Sequence, residues 1–216
     1  PRYTSYPTAP HFHEGIDSNV YASWLKAIGT DNRISLYLHI PYCDRLCWIC
    51  ACHTKHTLKY EPIASYLTSL KLEIAAVGQR ISRDARVTAV HFGGGSPTML
   101  KPEDMIDLMD CLRAAFNFAE NAEISVEMDP NDLDEPRYDA LAAIGMTRAS
   151  LGVQDFDPKV QKTINRIQTF EQTRSVVEAV RARGVRSVNC DILYGLPYQS
   201  LDTLAETVRS IISLDP

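Results

Sequence analysis

The sequence of 216 residues is 45% hydrophobic and 23% charged, the composition of an ordinary folded protein, which excludes a disordered or collagen-like chain. Its 22 basic and 27 acidic residues leave a net charge of −5, which argues against a general binder of nucleic acid or of anionic membranes. No apolar run approaches the roughly 18 residues of a membrane helix, and no leader-like segment is visible, so we expect a cytoplasmic protein without a membrane span. Six cysteines are too few for a disulfide scaffold, and their clustering points to metal or redox chemistry.

Short β-branched runs alternate with longer helix-like segments beyond residue 33. The predicted strands are residues 34–40, 87–92, 122–128, 148–153 and 187–193. Between the first two strands, apolar residues recur at steps of four and three, which predicts an amphipathic helix: Ile63, Leu67, Leu70, Ile74 and Val77. Five β–α units in series imply parallel strands with right-handed crossovers, so the predicted fold class is α/β.

The predicted organisation has two parts. Residues 1–33 are expected to form an N-terminal arm and a helix, and residues 34–216 a β/α domain. Because the sequence begins at Pro1 and stops at Pro216, just past a helix-like segment, we expect it to belong to a longer protein.

Helix boundaries are marked by a few residues. Pro102 is predicted to lie at the start of a helix, because backbone N–H groups in the first turn make no hydrogen bond within the helix and proline lacks that group. Thr169 followed by Gln172 resembles a capping box. Gly145 and Gly184 stand where a left-handed residue would end a helix before the next strand.

Polar residues alternate along the last three predicted strands. Because strand side chains alternate between faces, each set projects to one side of the sheet. The sets are Ser125, Glu127 and Asp129; Ser150, Gly152 and Gln154; and Asn189 and Asp191. A polar face in a parallel sheet needs water or a ligand, so these residues are predicted to line an open cavity; the alternative is that they are loop-edge residues already in solvent.

A cluster of cysteines follows the first predicted strand. Cys43, Cys47 and Cys50 have the spacing C-x3-C-x2-C, and Cys52 follows. Thiolates are the ligands that iron–sulfur clusters and structural zinc prefer. Three ligands on a four-iron cluster leave one iron open for catalysis. Zinc completed by His53 or His56 is an alternative, and a disulfide is a weaker one.

A glycine-rich loop, Gly93-Gly94-Gly95-Ser96, follows the second predicted strand. Its spacing is neither that of a dinucleotide fingerprint nor that of a phosphate-binding P-loop. Glycines let a ligand approach the backbone closely, although the same loop could be a simple turn.

The cysteine loop and the glycine-rich loop together resemble the radical S-adenosylmethionine (SAM) superfamily. The resemblance implies a partial TIM-like (β/α) barrel, open on one side and incomplete at its C-terminal end. It also implies a [4Fe–4S] cluster on Cys43, Cys47 and Cys50, whose open iron binds SAM. Ile49 stands where the superfamily usually has an aromatic residue.

A longer series of motifs resembles the family of oxygen-independent coproporphyrinogen III oxidases. The motifs are residues 1–8, 36–43, 50–52, 93–98, 125–130, 152–156, 165–166 and 191–197. This resemblance implies that a first SAM is held by Tyr37, Ile49, Gly95, Ser96 and Glu127. It implies that a second SAM is held by Gly94, Gln154, Arg166 and Asp191, where the alternative for Arg166 is an exposed helix-surface residue.

The same resemblance implies a reaction and its partners. Reductive cleavage of SAM would give a deoxyadenosyl radical that takes one hydrogen atom from the β-carbon of a propionate group of coproporphyrinogen III. That group would then lose CO2 and an electron to become a vinyl group, and the same sequence would repeat on a second ring to give protoporphyrinogen IX. A flavodoxin-type electron donor and a monomeric state are expected, with no nucleic acid.

Five residues are predicted near the substrate or to have only a packing role. Cys52 is predicted to be a non-ligand close to the chemistry; the alternative is a small buried packing residue. Arg2, Arg45 and Arg166 are candidates for the positive charge that a tetra-anionic substrate needs. His39 is interpreted as a satisfied packing residue.

Two alternatives to the oxidase remain at the level of sequence. One is the related haem-carrying chaperone branch, which has a cluster without this decarboxylation. The other is a zinc-stabilised α/β binding module.

Overall fold

Strands and helices alternate along the chain in the computed structural model, which describes residues 7–29 and 31–216. The strands are β1 (Arg33–Ile40), β2 (Tyr42–Cys43), β3 (Lys55–His56), β4 (Arg86–Gly94), β5 (Asn117–Met128), β6 (Arg148–Gln154) and β7 (Ser187–Ile192). The helices are α1 (Ser18–Lys26), α2 (Glu61–Gly78), α3 (Pro102–Ala115), α4 (Glu135–Ala143), α5 (Pro158–Thr163), α6 (Phe170–Ala182) and α7 (Leu201–Ile212).

Five strands form one parallel sheet in the order β1-β4-β5-β6-β7. Each new strand is added on the same side of the one before it, which is how a β/α barrel is wound. Among the described residues, β1 and β7 each pair with one neighbour only, so the barrel is open. The predicted α/β class and open partial barrel are therefore confirmed.

The two faces of the sheet differ in chemistry. One face packs under the helices and is almost wholly buried, with Leu38, Phe92, Val126 and Leu151 in adjacent strands. These side chains join apolar residues of α2, α3, α4 and α6 in a single core. Burial of one such side chain stabilises the fold by about 1.5–3 kcal/mol.

The opposite face carries the polar residues. Strand register aligns Tyr37 of β1 with His91 of β4, and His91 with Ser125 of β5. It also aligns Glu127 of β5 with Ser150 of β6. Aligned residues of parallel strands point to the same side of the sheet. The predicted polar face therefore extends across β1 and β4, where the sequence had suggested no polar face.

The predicted helix boundaries are confirmed. Pro102 is the first residue of α3, and Thr169 and Gln172 form a capping box at the start of α6. Gly145 and Gly184 follow helices with φ values of +80° and +89°.

The third predicted strand starts earlier than expected. β5 begins at Asn117, because residues 117–118 pair with Arg86 and Val87 before a register shift. The register shift falls between Phe118 and Glu123 and includes the exposed polar residues Glu120 and Asn121, which interrupt the apolar pattern of the strand.

Several features lie outside the central sheet. Helix α1 is capped by Asp17, whose carboxylate accepts from the backbone N–H groups of Asn19 and Val20. The division at residue 33 stays a prediction, and Arg2 lies outside the described residues. In the parts of the chain that the structure describes, no helix combines the length and apolar character needed to cross a membrane.

Candidate functional site

The ends of the strands and the cysteine loop enclose a cavity of about 530 Å³, which we call the central cavity. Of the predicted site residues that the structure describes, all but Tyr37 line it. They are Cys43, Cys47, Ile49, Cys50, Cys52, Gly94, Gly95, Ser96, Glu127, Gln154, Arg166 and Asp191. The fold therefore brings together side chains that are up to 148 positions apart in the sequence, between Cys43 and Asp191.

The cysteine loop is fixed at its base by short β-structure. β2 pairs in parallel with β3, so both ends of the loop leave from one point. The backbone N–H of Lys55 donates to the carbonyl of Pro41 at 2.7 Å, and that of Thr57 donates to the carbonyl of Cys43 at 3.0 Å. These bonds join the start of the cysteine loop, at Cys43, to its end.

The segment after α5 holds the middle of the loop. The backbone N–H of Trp48 donates to the carbonyl of Ile164 at 2.9 Å, and the Asn165 amide donates to the carbonyl of Leu46 at 2.7 Å. Asn165 has a φ of +56°, a conformation that asparagine tolerates better than most residues. Sequence spacing gave no sign of this contact.

The thiol of Cys43 is disfavoured as a free thiolate. Burial raises the pKa of the Cys43 thiol to about 12, and the nearby Cys50 and Cys47 thiols act in the same direction. Such a thiol gives up its proton readily only to a strong positive centre, and bound iron is one. The donor set of Cys43, Cys47 and Cys50 therefore fits an iron–sulfur cluster.

The zinc alternative finds no support in the geometry. Within residues 7–29 and 31–216, no three His, Cys, Asp or Glu side chains lie close enough together to hold a single metal ion. A tetrahedral zinc site needs that convergence. A four-iron cluster takes each thiolate on a different iron, so its cysteines stand further apart.

The glycine-rich loop passes too close to its neighbours for side chains. A Cβ on Gly95 would lie 2.5 Å from the backbone oxygen of Tyr42, and Gly94 has a φ of +115°. Only glycine fits both positions without strain. The hydroxyl of Ser96 is buried and donates to Asp132 at 2.6 Å, so its side chain is already engaged inside the protein.

Glu127 is held by hydrogen bonds at both of its oxygens. Oε2 accepts the backbone N–H of Gly94 at 3.0 Å, and Oε1 lies 3.1 Å from Nε2 of His91. The ring of His91 stacks on Tyr37 at a centroid distance of 5.7 Å. Burial, followed by the charge of Glu127, raises the pKa of Tyr37. Tyr37 therefore lies beside this group without lining the central cavity.

His39 takes part in a hydrogen-bonded line on the polar face. Its Nδ1 lies 3.0 Å from the hydroxyl of Tyr37, and its Nε2 lies 2.8 Å from the carbonyl oxygen of His53. The interpretation of His39 as a satisfied packing residue agrees with these contacts, which also link β1 to the segment that follows Cys52.

Arg166 is a buried member of the site and not a surface residue, since only 14% of its side chain is exposed. Its Nε and Nη2 donate to the carbonyl of Gly152 at 2.9 and 2.6 Å. Its Nη1 lies 3.2 Å from a carboxylate oxygen of Asp129 and 3.7 Å from the sulfur of Cys47. The helix-surface alternative for Arg166 is excluded.

Gln154 and Asp191 stand at the ends of adjacent strands. Gln154 has a φ of +68°, and its carbonyl accepts the backbone N–H of Leu193 at 3.1 Å. The carboxylate of Asp191 accepts from the Asn189 amide at 2.8 Å and from the Ser150 hydroxyl at 3.3 Å. Both side chains line the central cavity.

Asp132 is a charged neighbour of the site that the sequence did not single out. Burial raises its pKa to about 6, against the effect of the hydrogen bond from Ser96. It lies in the turn after β5, four residues beyond the end of that strand. The polar run that starts at Asp129 was the available signal, but nothing in its spacing marks Asp132.

The fold and the cysteine loop define the class of this protein. Residues 37–211 match the family model of the radical SAM superfamily. The chain therefore belongs to the radical SAM superfamily, as its motifs predicted, and its cofactors are a [4Fe–4S] cluster and SAM.

The chain is also similar to individual proteins whose activity is named. Over all 216 residues the chain is 48% identical to an oxygen-independent coproporphyrinogen III oxidase of Paracoccus denitrificans, and 48% identical to one of Bradyrhizobium diazoefficiens. The solved coproporphyrinogen III oxidase of Escherichia coli, a radical SAM enzyme, is 37% identical with a TM-score of 0.92. That match covers 99% of this chain and 49% of the other. The chain spans 48% of the length of each of the two curated relatives.

Proposed function

We propose that the whole protein is an oxygen-independent coproporphyrinogen III oxidase. It would convert two propionate groups of its substrate to vinyl groups and release CO2, giving protoporphyrinogen IX. The observation that carries the proposal is identity of 48% to such oxidases along the entire chain, combined with a cavity that gathers the predicted site residues. When bound, the cluster and SAM supply the hydrogen-atom abstraction that starts this chemistry.

In this proposal Glu127 and the glycine-rich loop hold the cluster-bound SAM. The carboxylate of Glu127 would accept hydrogen bonds from the amino group of SAM. Hydrogen bonds with the backbone N–H of Gly94 and the ring of His91 already orient the two carboxylate oxygens. Gly95, Ser96, Ile49 and Tyr37 would complete this part of the site. The close approach of the loop to the backbone of Tyr42 fixes the position of Gly95 at the wall of the central cavity.

A second SAM would lie further along the sheet, on Gly94, Gln154, Arg166 and Asp191. Asp191 offers carboxylate oxygens suited to ribose hydroxyls, and Arg166 offers a guanidinium suited to a carboxylate. All four line the central cavity in common with the cysteines.

The cavity has few positive charges for a substrate with four carboxylates. Arg166 is paired with Asp129, and Arg45 is partly buried beside it. We therefore propose that Arg2 also binds the substrate. A flavodoxin-type electron donor, a cytoplasmic location, a monomeric state and a domain boundary at residue 33 belong to the same proposal.

The proposal is tested by turnover under strictly anaerobic conditions. Intact protein with SAM and a one-electron reductant should convert coproporphyrinogen III to protoporphyrinogen IX, with two CO2 released for each substrate. A Cys47→Ala variant is the matched control and should release none. Stable haem binding with no decarboxylation, at full cluster content, would instead support the haem chaperone.

A further inference from the structure

Arg45 lies inside the cysteine loop, and one nitrogen of its guanidinium group makes no hydrogen bond. Its Nη2 atom is shielded from solvent and has no hydrogen-bond partner among the described residues. The nearest acidic oxygens are Oδ1 of Asp44 at 3.8 Å and Oδ1 of Asp129 at 3.9 Å, both too distant for a hydrogen bond. A buried donor without an acceptor is rare in a folded protein and calls for an explanation.

Asp129 joins Arg45 to a second arginine. Its other oxygen, Oδ2, lies 3.2 Å from Nη1 of Arg166. Burial raises the pKa of Asp129, but Arg166, two hydrogen bonds from Asn131 and the charge of Arg45 outweigh it and leave the pKa lowered. The carboxylate is therefore ionised, and the set of two arginines and one aspartate carries a net charge of +1.

Two further acids lie near this set. Asp44 is 39% exposed at its side chain, so water screens its charge. Asp132 accepts the hydroxyl of Ser96, and its pKa, raised to about 6 mainly by burial, still leaves most of it ionised at neutral pH. These carboxylates offset the charge of Arg45, but none of them accepts the Nη2 N–H at the wall of the central cavity.

One of the two arginines already contacts a thiol of the loop. Nη1 of Arg166 donates toward the sulfur of Cys47 at 3.7 Å. Arg45 lies between Cys43 and Cys47 in sequence and lines the same cavity as both. An acceptor for its free N–H is therefore to be expected among the sulfur atoms that the loop assembles.

We propose that Arg45 donates its unpaired N–H to the sulfur of the cluster held by Cys43, Cys47 and Cys50, and that it raises the reduction potential of that cluster. This rests on the cluster assignment and not on the identity of the substrate. Reduction adds one negative charge to the cluster, and a nearby cation or sulfur hydrogen bond stabilises the reduced form. Asp129 accepts a hydrogen bond from Arg166 and lies near Arg45 without one, and its negative charge opposes the effect of both arginines.

The test is a redox titration of the cluster in the intact protein without SAM or substrate, followed by electron paramagnetic resonance. Arg45→Met should keep the full iron and sulfide content and shift the midpoint potential to a more negative value. Arg45→Lys should shift it less, because it keeps the charge and loses the planar donor. The control Arg183→Met removes a half-buried arginine outside the central cavity that pairs with Glu135 and Asp139, and should leave the potential unchanged.

A second variant keeps the test decisive if Arg45→Met loses its cluster. Asp129→Asn removes the opposing negative charge and should shift the midpoint in the positive direction. An unchanged potential in Arg45→Met with a complete cluster would overturn the proposal, as would a negative shift in Asp129→Asn. A preparation of the unsubstituted protein without any iron–sulfur cluster would refute the cofactor assignment instead.

Discussion

Glu127 is oriented by the protein before any ligand is bound. The backbone N–H of Gly94 and the ring of His91 each engage one of its oxygens. The ring of His91 is itself stacked on Tyr37, so the orientation of the carboxylate depends on three strands of the sheet. A side chain fixed in this way loses less conformational entropy when it binds a cation.

We expect Glu127→Gln to weaken SAM binding by about 10- to 100-fold, since a hydrogen bond to a charged group contributes about 1.5–3 kcal/mol. Glutamine keeps the size of the side chain and removes its charge. The measurement is equilibrium binding of SAM to cluster-loaded protein. Glu123→Gln, an exposed position on the same strand, is the control and should bind SAM as the unsubstituted protein does. Equal binding in both variants would remove Glu127 from the cofactor site.

Cys52 should differ in its role from the three cysteines before it. It lines the central cavity, but only three ligands are needed if SAM occupies the fourth iron. Cys52→Ser is therefore expected to keep the iron content and the visible spectrum of the cluster while turnover falls sharply. Cys190→Ser, a change at a half-buried strand cysteine, serves as the control for loss of a thiol. Loss of iron in Cys52→Ser would identify Cys52 as a ligand, and unchanged turnover would limit it to packing.

The sequence identifies those candidate site residues that lie close together along the chain with a recognisable spacing. Cys43, Cys47 and Cys50 are recognisable by spacing alone. His39 and His91 could not be placed, because their contacts with Tyr37 and Glu127 depend on strand register. Register is fixed by the pairing of separate strands and leaves no trace in the local pattern.

At the scale of elements, the start of a helix is predicted best where the cap residues form hydrogen bonds with its first turn. The side chain of Thr169 accepts the backbone N–H of Gln172, and the side chain of Gln172 accepts the backbone N–H of Thr169. Both bonds satisfy donors that the first turn of α6 would otherwise leave unpaired. This is why a motif of four residues predicted the start of the helix correctly.

Thr169→Ala should therefore lower the free energy of unfolding by about 1 kcal/mol. The measurement is chemical denaturation followed by far-ultraviolet circular dichroism. Thr68→Ala is a matched control, because Thr68 is an exposed residue inside α2 whose hydroxyl bonds only to the carbonyl of Ala64. The control should change stability by less than about 0.5 kcal/mol. Equal effects of the two changes would mean that the capping box does not stabilise α6.

Elements without periodicity were not predicted. Helix α5 has six residues, which is under two turns and too short for an apolar repeat. The β2–β3 pair has only two residues in each strand, and its partners are separated by the whole cysteine loop. The start of α5 is capped locally by Asp157, which accepts the backbone N–H groups of Lys159 and Val160. Its end makes a tertiary contact, because the carbonyl of Ile164 accepts the N–H of Trp48.

At the scale of the whole molecule, the core and the candidate site lie on opposite faces of the sheet. The large apolar core is formed by the helix-facing side and includes no residue of the segment 43–57. Ile49 packs instead on a separate small cluster with Val160, Ile164 and Leu196. The stability of the barrel therefore depends little on the cysteine loop.

Removing the cluster should loosen the loop without unfolding the barrel. We expect cluster-free intact protein to keep its far-ultraviolet circular dichroism, while hydrogen exchange quickens in residues 43–57 and 160–167. The second segment is included because it bonds to Trp48 and Leu46. Global unfolding on loss of the cluster, as in a zinc finger, would contradict this separation of core and site.

The central claim is that Cys43, Cys47 and Cys50 hold a [4Fe–4S] cluster at the mouth of the open barrel. The most direct measurement is the visible spectrum of anaerobically purified intact protein, together with its iron, sulfide and zinc content. We predict a brown protein with about four irons and four sulfides per chain, and loss of both in each of the three single alanine variants. A colourless protein with one zinc per chain would contradict the claim.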